Sequence, residues 1–210
     1  MPKKSIESDF DCVNSSGEVR VCDIDTDTAV EFCDALWERF NENNQAPIII
    51  RINSNGGDVD AMLSMMDTMD SIRAVAPEGF AFVTIAEGKA VSAGCDLLAH
   101  GDIRLAKSST RIMAHQSSWW AAGVNDSALA GALDSDRQNT QALQIFAKNI
   151  GYKGGPKKLK NRLIHDSYFT AQQAKDFGII DEIADARPKT ITKHMIEIIP
   201  EKANKQRRVK

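Results

Sequence analysis

Gly88-Lys89-Ala90-Val91-Ser92-Ala93-Gly94 follows the apolar run Phe80-Ala-Phe-Val-Thr-Ile85 and leads into Cys95-Asp-Leu-Leu-Ala99. The first run is short, apolar and rich in β-branched and aromatic residues, which predicts a core strand. Ser92 to Ala99 reads as a short apolar helix, so Ser92 falls at a strand-to-helix junction. Upstream, Pro47-Ile-Ile-Ile-Arg-Ile52 predicts a second core strand, closed by the turn Asn53-Ser-Asn-Gly-Gly57. Val59 to Ile72 follows as a helix, with Val59, Met62, Leu63, Met66 and Met69 inward. Before these lie a weak strand at Val19 to Ile24 and a helix at Thr28 to Phe40. That helix places Val30, Cys33, Trp37 and Phe40 on one face, with Thr26 or Asp27 as its cap. Downstream, Ile103 to Ala106 and Arg111 to Met113 read as strands and Ser127 to Ile150 as a long helix, weakened locally by Gly131. Gly151 to Gly155 is a break, Thr170 to Gly178 a capped helix, and Ile179 begins a last short strand. This alternation predicts an α/β layered domain.

The chain has 210 residues, 42% of them hydrophobic, enough for one domain with a real core. A net charge of −3 gives no pull toward nucleic acid. No apolar stretch approaches the roughly 20 residues that span a bilayer, so no membrane role is expected. The start, Met1-Pro-Lys-Lys-Ser, has no apolar segment behind it and does not read as a secretory signal. Cys12, Cys22, Cys33 and Cys95 lack metal-ligand spacing and read as buried free thiols, which favours a reducing, cytoplasmic compartment. Residues 1–16 are polar and expected to be mobile, residues 17–186 form the domain, and 187–210 is a basic, solvated tail.

A serine ahead of an apolar helix is ordinarily an N-cap. Three features point further. Ala90, Ala93 and Gly94 leave room for a carbonyl beside the hydroxyl, the junction holds that hydroxyl at a sheet rim, and the helix N-terminus favours developing negative charge. The segment is not the α/β-hydrolase elbow, because Ala90 stands where that motif needs glycine. His115, after the strand Arg111-Ile-Met, is the candidate general base, with His165 its competitor. Asp166 is the candidate orienter of the imidazole, and reads equally as a surface residue or a cap. Gly56-Gly57 is either a plain turn or, with its backbone N–H and that of Ala93, an oxyanion hole.

Five blocks taken together are more specific than any one of them. They are Ile52-Asn-Ser-Asn-Gly-Gly-Asp-Val59, Asp67-Thr-Met69, Gly88 to Gly94, Arg111-Ile-Met-Ala-His-Gln116, and Asp166 to Asp181. Across roughly residues 45 to 184 they resemble the proteolytic subunit of the ATP-dependent Clp protease (ClpP) family. The resemblance implies a crotonase-like fold of repeated ββα units with a protruding long helix. It implies a serine endopeptidase acting on unfolded or peptide substrates, with Ser92 as nucleophile, His115 as base, Asp166 as orienter, and Gly57 and Ala93 N–H as the oxyanion hole. Substrate would lie as an extended strand against Gly56, Asp58, Gly123 and Val124. The chain would form a homo-oligomer of two stacked seven-membered rings, and no metal or organic cofactor is called for. An AAA+ unfoldase partner is implied too, but the positions that align with its usual apolar docking pocket are Arg51, Ser71 and Lys107. Asn55 stands where the family usually has proline, and His165 where it usually has arginine. A phage prohead (head maturation) protease with the same triad is the alternative. An acyl-CoA enzyme of the same fold, a Ser/Lys peptidase and a non-catalytic ring subunit are further rivals.

Overall fold

The computed structural model describes residues 18–117 and 125–185. The expected mobile segment 1–16 and basic tail 187–210 lie outside the described residues, as do Cys12, Gly123 and Val124.

Strands β1 (Val19–Val21), β2 (Ile48–Ser54), β3 (Phe82–Val91), β4 (Ile103–Ala106) and β7 (Glu182–Ile183) run parallel in that spatial order. β5 (Arg111–Ala114) is parallel to β3, and β6 (Ser167–Phe169) is antiparallel to β5. Six helices complete the described residues: α1 (Thr26–Glu42), α2 (Val59–Val75), α3 (Ala93–Ala99), α4 (Asn125–Asn149), α5 (Gly155–Arg162) and α6 (Ala171–Phe177). The helices pack their buried side chains into one core with the inward residues of β2 and β3, while a smaller cluster of Ala81, Val83, Ile85, Ile103 and Leu105 lies apart from it. Ile50, Ile52, Phe82, Val83 and Ile85 are all fully buried. The α/β class expected from the sequence is the observed one.

The long strand β3 positions the site. Its first half pairs with β4, Val83 opposite Ile103 through Ala86 opposite Ala106. Its second half pairs with β5, Lys89 opposite Arg111 through Val91 opposite Met113. β5 then pairs with β6, Ala114 opposite Ser167. The chain ends that leave β3 and β5 and enter β6 therefore emerge side by side. The sequence ended this strand at Ile85; the polar residues Glu87-Gly88-Lys89 hid the rest of it.

Other local expectations shift. Asp25, not Thr26 or Asp27, caps α1, in a reciprocal box where Thr28 N–H donates to the Asp25 carboxylate (2.8 Å) and Asp25 N–H to the Thr28 hydroxyl (3.0 Å). The buried face of α1 carries Ala29, Phe32, Leu36 and Phe40, whereas Val30 is 58% exposed. Two apolar stripes of equal period run one residue out of phase along this helix, and periodicity does not choose between them. On α2, Ala61, Met65 and Ile72 join Met62, Met66 and Met69 in the core, while Val59 and Leu63 are only half-buried. Helix α5 and strand β6 were not anticipated; α5 starts at the Gly154-Gly155-Pro156 break and is pinned by Leu159. Cys22 is exposed rather than buried, Cys33 is half-buried, and Cys95 is fully buried.

Candidate active site

Ser92 is the one non-glycine residue with positive φ among the described residues (φ 56°, ψ −128°). A side chain in such a region costs about 1–3 kcal/mol and persists only where its surroundings hold it. Here Ser92 N–H donates to Met113 O (2.9 Å), while Ser92 O accepts from Cys95 N–H (2.8 Å) and Asp96 N–H (3.2 Å). The strand before, the strand beside and the helix after thus fix the residue from three directions. Its hydroxyl makes no N-cap hydrogen bond. Instead Oγ lies 2.7 Å from His115 Nε2.

His115 follows β5 directly, and its Nδ1 lies 3.1 Å from Asp166 Oδ1, just ahead of β6. An ionised carboxylate only accepts, so Nδ1 carries the proton and donates it to Asp166. Nε2 is then the acceptor for the Ser92 hydroxyl. Asp166 is open to solvent, its side chain 56% exposed. The competitor His165 is exposed too, and its carbonyl accepts from the Ser167 hydroxyl (3.2 Å). The segment after His115 is tied down by Gln116 Nε2 donating to Lys160 O (3.0 Å) and Ser117 N–H donating to Asn139 Oδ1 (3.0 Å).

The Gly56-Gly57 turn abuts this serine. Gly56 has φ 93°, and a Cβ there would sit 2.7 Å from both Ser92 Cβ and Val91 O. A Cβ on Gly57 would come within 2.0 Å of Ile24 O. Only glycine lets both backbones pass so close. Asp58 is occupied as the N-cap of α2, its carboxylate accepting from Ala61 N–H (2.8 Å). Ala93 opens α3, where helical geometry leaves the N–H without an acceptor in its own helix. Gly57, Ser92, Ala93 and His115 border one cavity of about 120 Å³. Val59, Met62, Leu143 and Phe146 give it an apolar wall.

One member of that lining was not singled out from the sequence. Asp96 borders the same cavity, and burial pushes its carboxyl up to about 8. Burial, and then the nearby Asp96, drive the Cys95 thiol well above its ordinary value. The signal was a lone acid in the otherwise apolar run Ser92 to Ala99.

Away from the cavity, Arg51 is held between Glu18 (2.5 and 2.7 Å) and Glu87 (2.5 Å). The Ser71 hydroxyl donates to Asp67 O on its own helix (2.8 Å), and Lys107 N–H donates to Ala86 O (3.0 Å).

A serine hydroxyl, an imidazole and a carboxylate joined in one hydrogen-bonded line are the arrangement that serine hydrolases use, on several unrelated folds. Within that class the relationship is specific: the Clp protease family model matches residues 13–187, and the chain belongs to the Clp protease family, whose members are serine peptidases. No helix among the described residues is long and apolar enough to cross a membrane.

Proposed function

We propose that the chain is a serine endopeptidase that cleaves unfolded proteins or peptides by two-step acyl transfer. The observation that carries this is the line from Ser92 Oγ through His115 to Asp166, at 2.7 and 3.1 Å, built on a serine held in a strained conformation. His115 Nε2 takes the hydroxyl proton as Oγ attacks the peptide carbonyl. The negative charge that develops falls between Gly57 and Ala93 N–H, each such donor being worth about 3 kcal/mol in the transition state. His115 then protonates the leaving amine, and water, activated by the same imidazole, releases the acyl group. Asp166 holds the ring and steadies the imidazolium. The peptide lies extended beside Gly56. No metal or organic cofactor takes part.

Assembly into stacked rings fits two features. Clp protease family members are typically oligomeric, and Leu129 and Leu133 on α4 are 61% and 65% exposed, a face that a neighbouring subunit would cover. The Glu18–Arg51–Glu87 cluster replaces apolar surface with paired charge. An unfoldase that docks through apolar loops is therefore disfavoured at this position.

Fluorophosphonate labelling of the full chain, with particle mass measured on the same preparation, tests the proposal. Wild type labels at Ser92 and hydrolyses a denatured protein; Ser92→Ala does neither; His115→Ala labels far more slowly. A wild type that stays unlabelled, or hydrolysis that survives Ser92→Ala, refutes it.

A further inference from the structure

We infer that Asp96 makes the cavity beside Ser92 a specificity pocket for a cationic side chain, so that cleavage falls after lysine or arginine. This rests on the peptidase reading and concerns the residue whose carbonyl Ser92 attacks.

Asp96 N–H bonds to Ser92 O, which puts the acid one helical turn from the nucleophile, on the element that shapes the cavity. Half-buried Asp96 lines that cavity, and burial raises its carboxyl with no hydrogen bond or opposite charge to offset it. The hydroxyl of Ser117, in the same lining, is buried and likewise has no hydrogen-bond partner among the described residues. Unpaired polar groups in a desolvated place are costly, and a fold keeps them where a guest completes them. The surrounding wall is apolar: Val59, Met62, Ala142, Leu143 and Phe146. An apolar sleeve with an acid and a hydroxyl matches the shape of a lysine or arginine side chain, a methylene stem carrying a cation with several N–H donors. Leucine would fill the sleeve and leave the carboxyl unmet. In the empty cavity burial keeps that carboxyl largely protonated at neutral pH. The arriving cation displaces the proton to solvent and pairs with the carboxylate.

The test uses fluorogenic peptide amides identical except at the residue before the cleaved bond, which is arginine, lysine, glutamine or leucine. Full-length wild type, Asp96→Asn and Asp96→Leu are compared, with fluorophosphonate labelling of Ser92 run alongside. Wild type is expected to favour arginine or lysine over leucine in kcat/KM by on the order of 10- to 100-fold, the scale of one charge-assisted contact. Both variants lose that preference, and Asp96→Leu reverses it. Benzamidine, a small cation, should slow labelling of wild type, and this arm needs no variant to fold. A wild type that labels at Ser92 yet cleaves after leucine or glutamine as readily as after arginine overturns the inference and leaves the peptidase reading standing. A wild type that neither labels nor cleaves removes both.

Discussion

Asp96→Asn should change how stability depends on pH, with a sign fixed by the direction in which burial moves the carboxyl. An Asp carboxyl ordinarily titrates near 3.8, and Asp96 is pushed up to about 8. Between those values the folded state holds a proton that the unfolded chain has released. The stabilising contribution is thus complete below the unfolded value and is lost as pH rises through the folded one. Each pH unit across that window is worth about 1.4 kcal/mol. From about pH 5 to about pH 8 wild type should lose about 3–4 kcal/mol that Asp96→Asn keeps, since the amide has nothing to ionise. Urea unfolding of both proteins at those two pH values, at one fixed protein concentration, reads the difference directly. Every other titrating group is common to the pair and cancels. If the two proteins fall in stability by equal amounts, the carboxyl is solvated in the folded chain and the burial argument fails.

Gly57→Ala pushes a methyl group into Ile24 O, a backbone atom with no cheap escape. Peptidase kcat should fall by at least about 100-fold, with stability lower by about 2–4 kcal/mol, read by kinetics and chemical denaturation. Asp166→Asn keeps the shape but cannot favour the tautomer with the proton on Nδ1; kcat/KM should drop by about 10²–10⁴ with the melting temperature little changed, because the side chain is solvent-exposed. Arg104 donates to Asn149 O (3.0 Å), Gly178 O (2.9 Å) and the Asp181 carboxylate (2.8 Å), so it ties β4 to the ends of α4 and α6. Arg104→Met should cost about 3 kcal/mol in a denaturant titration, because it strips partners from carbonyls and a carboxylate that are shielded from water.

The strands were legible from short β-branched and aromatic runs, as in Ile48 to Ile52 and Phe82 to Ile85, in which Ile48, Ile50, Ile52, Phe82 and Ile85 are buried. Beyond Ile85 the strand continues at the sheet rim, where Glu87 and Lys89 are only partly covered, and no apolar pattern survives to mark it. The phase of α1 was missed because Phe32 and Leu36 carry the same spacing as Cys33 and Trp37, and tertiary packing alone selects between the stripes. Ser92, His115 and Asp166 were legible because each stands beside an element boundary, where a sheet presents side chains to a common rim. Asp96 was not, because a helix reading sorts residues by period, and one acid on a short apolar helix says nothing of the hollow it borders. The short helix α5 is masked by three lysines, with Leu159 its only fully buried side chain.

The division of β3 between two neighbours has a mechanical consequence. The imidazole hangs from a ladder that covers only Lys89 to Val91, whereas the first half of the same strand is locked between β2 and β4. What holds that short ladder in place is burial: Ile112 and Ala114 on β5 and Phe169 on β6 sit in the main core, so a change that loosens this corner of the core displaces the imidazole and its carboxylate together.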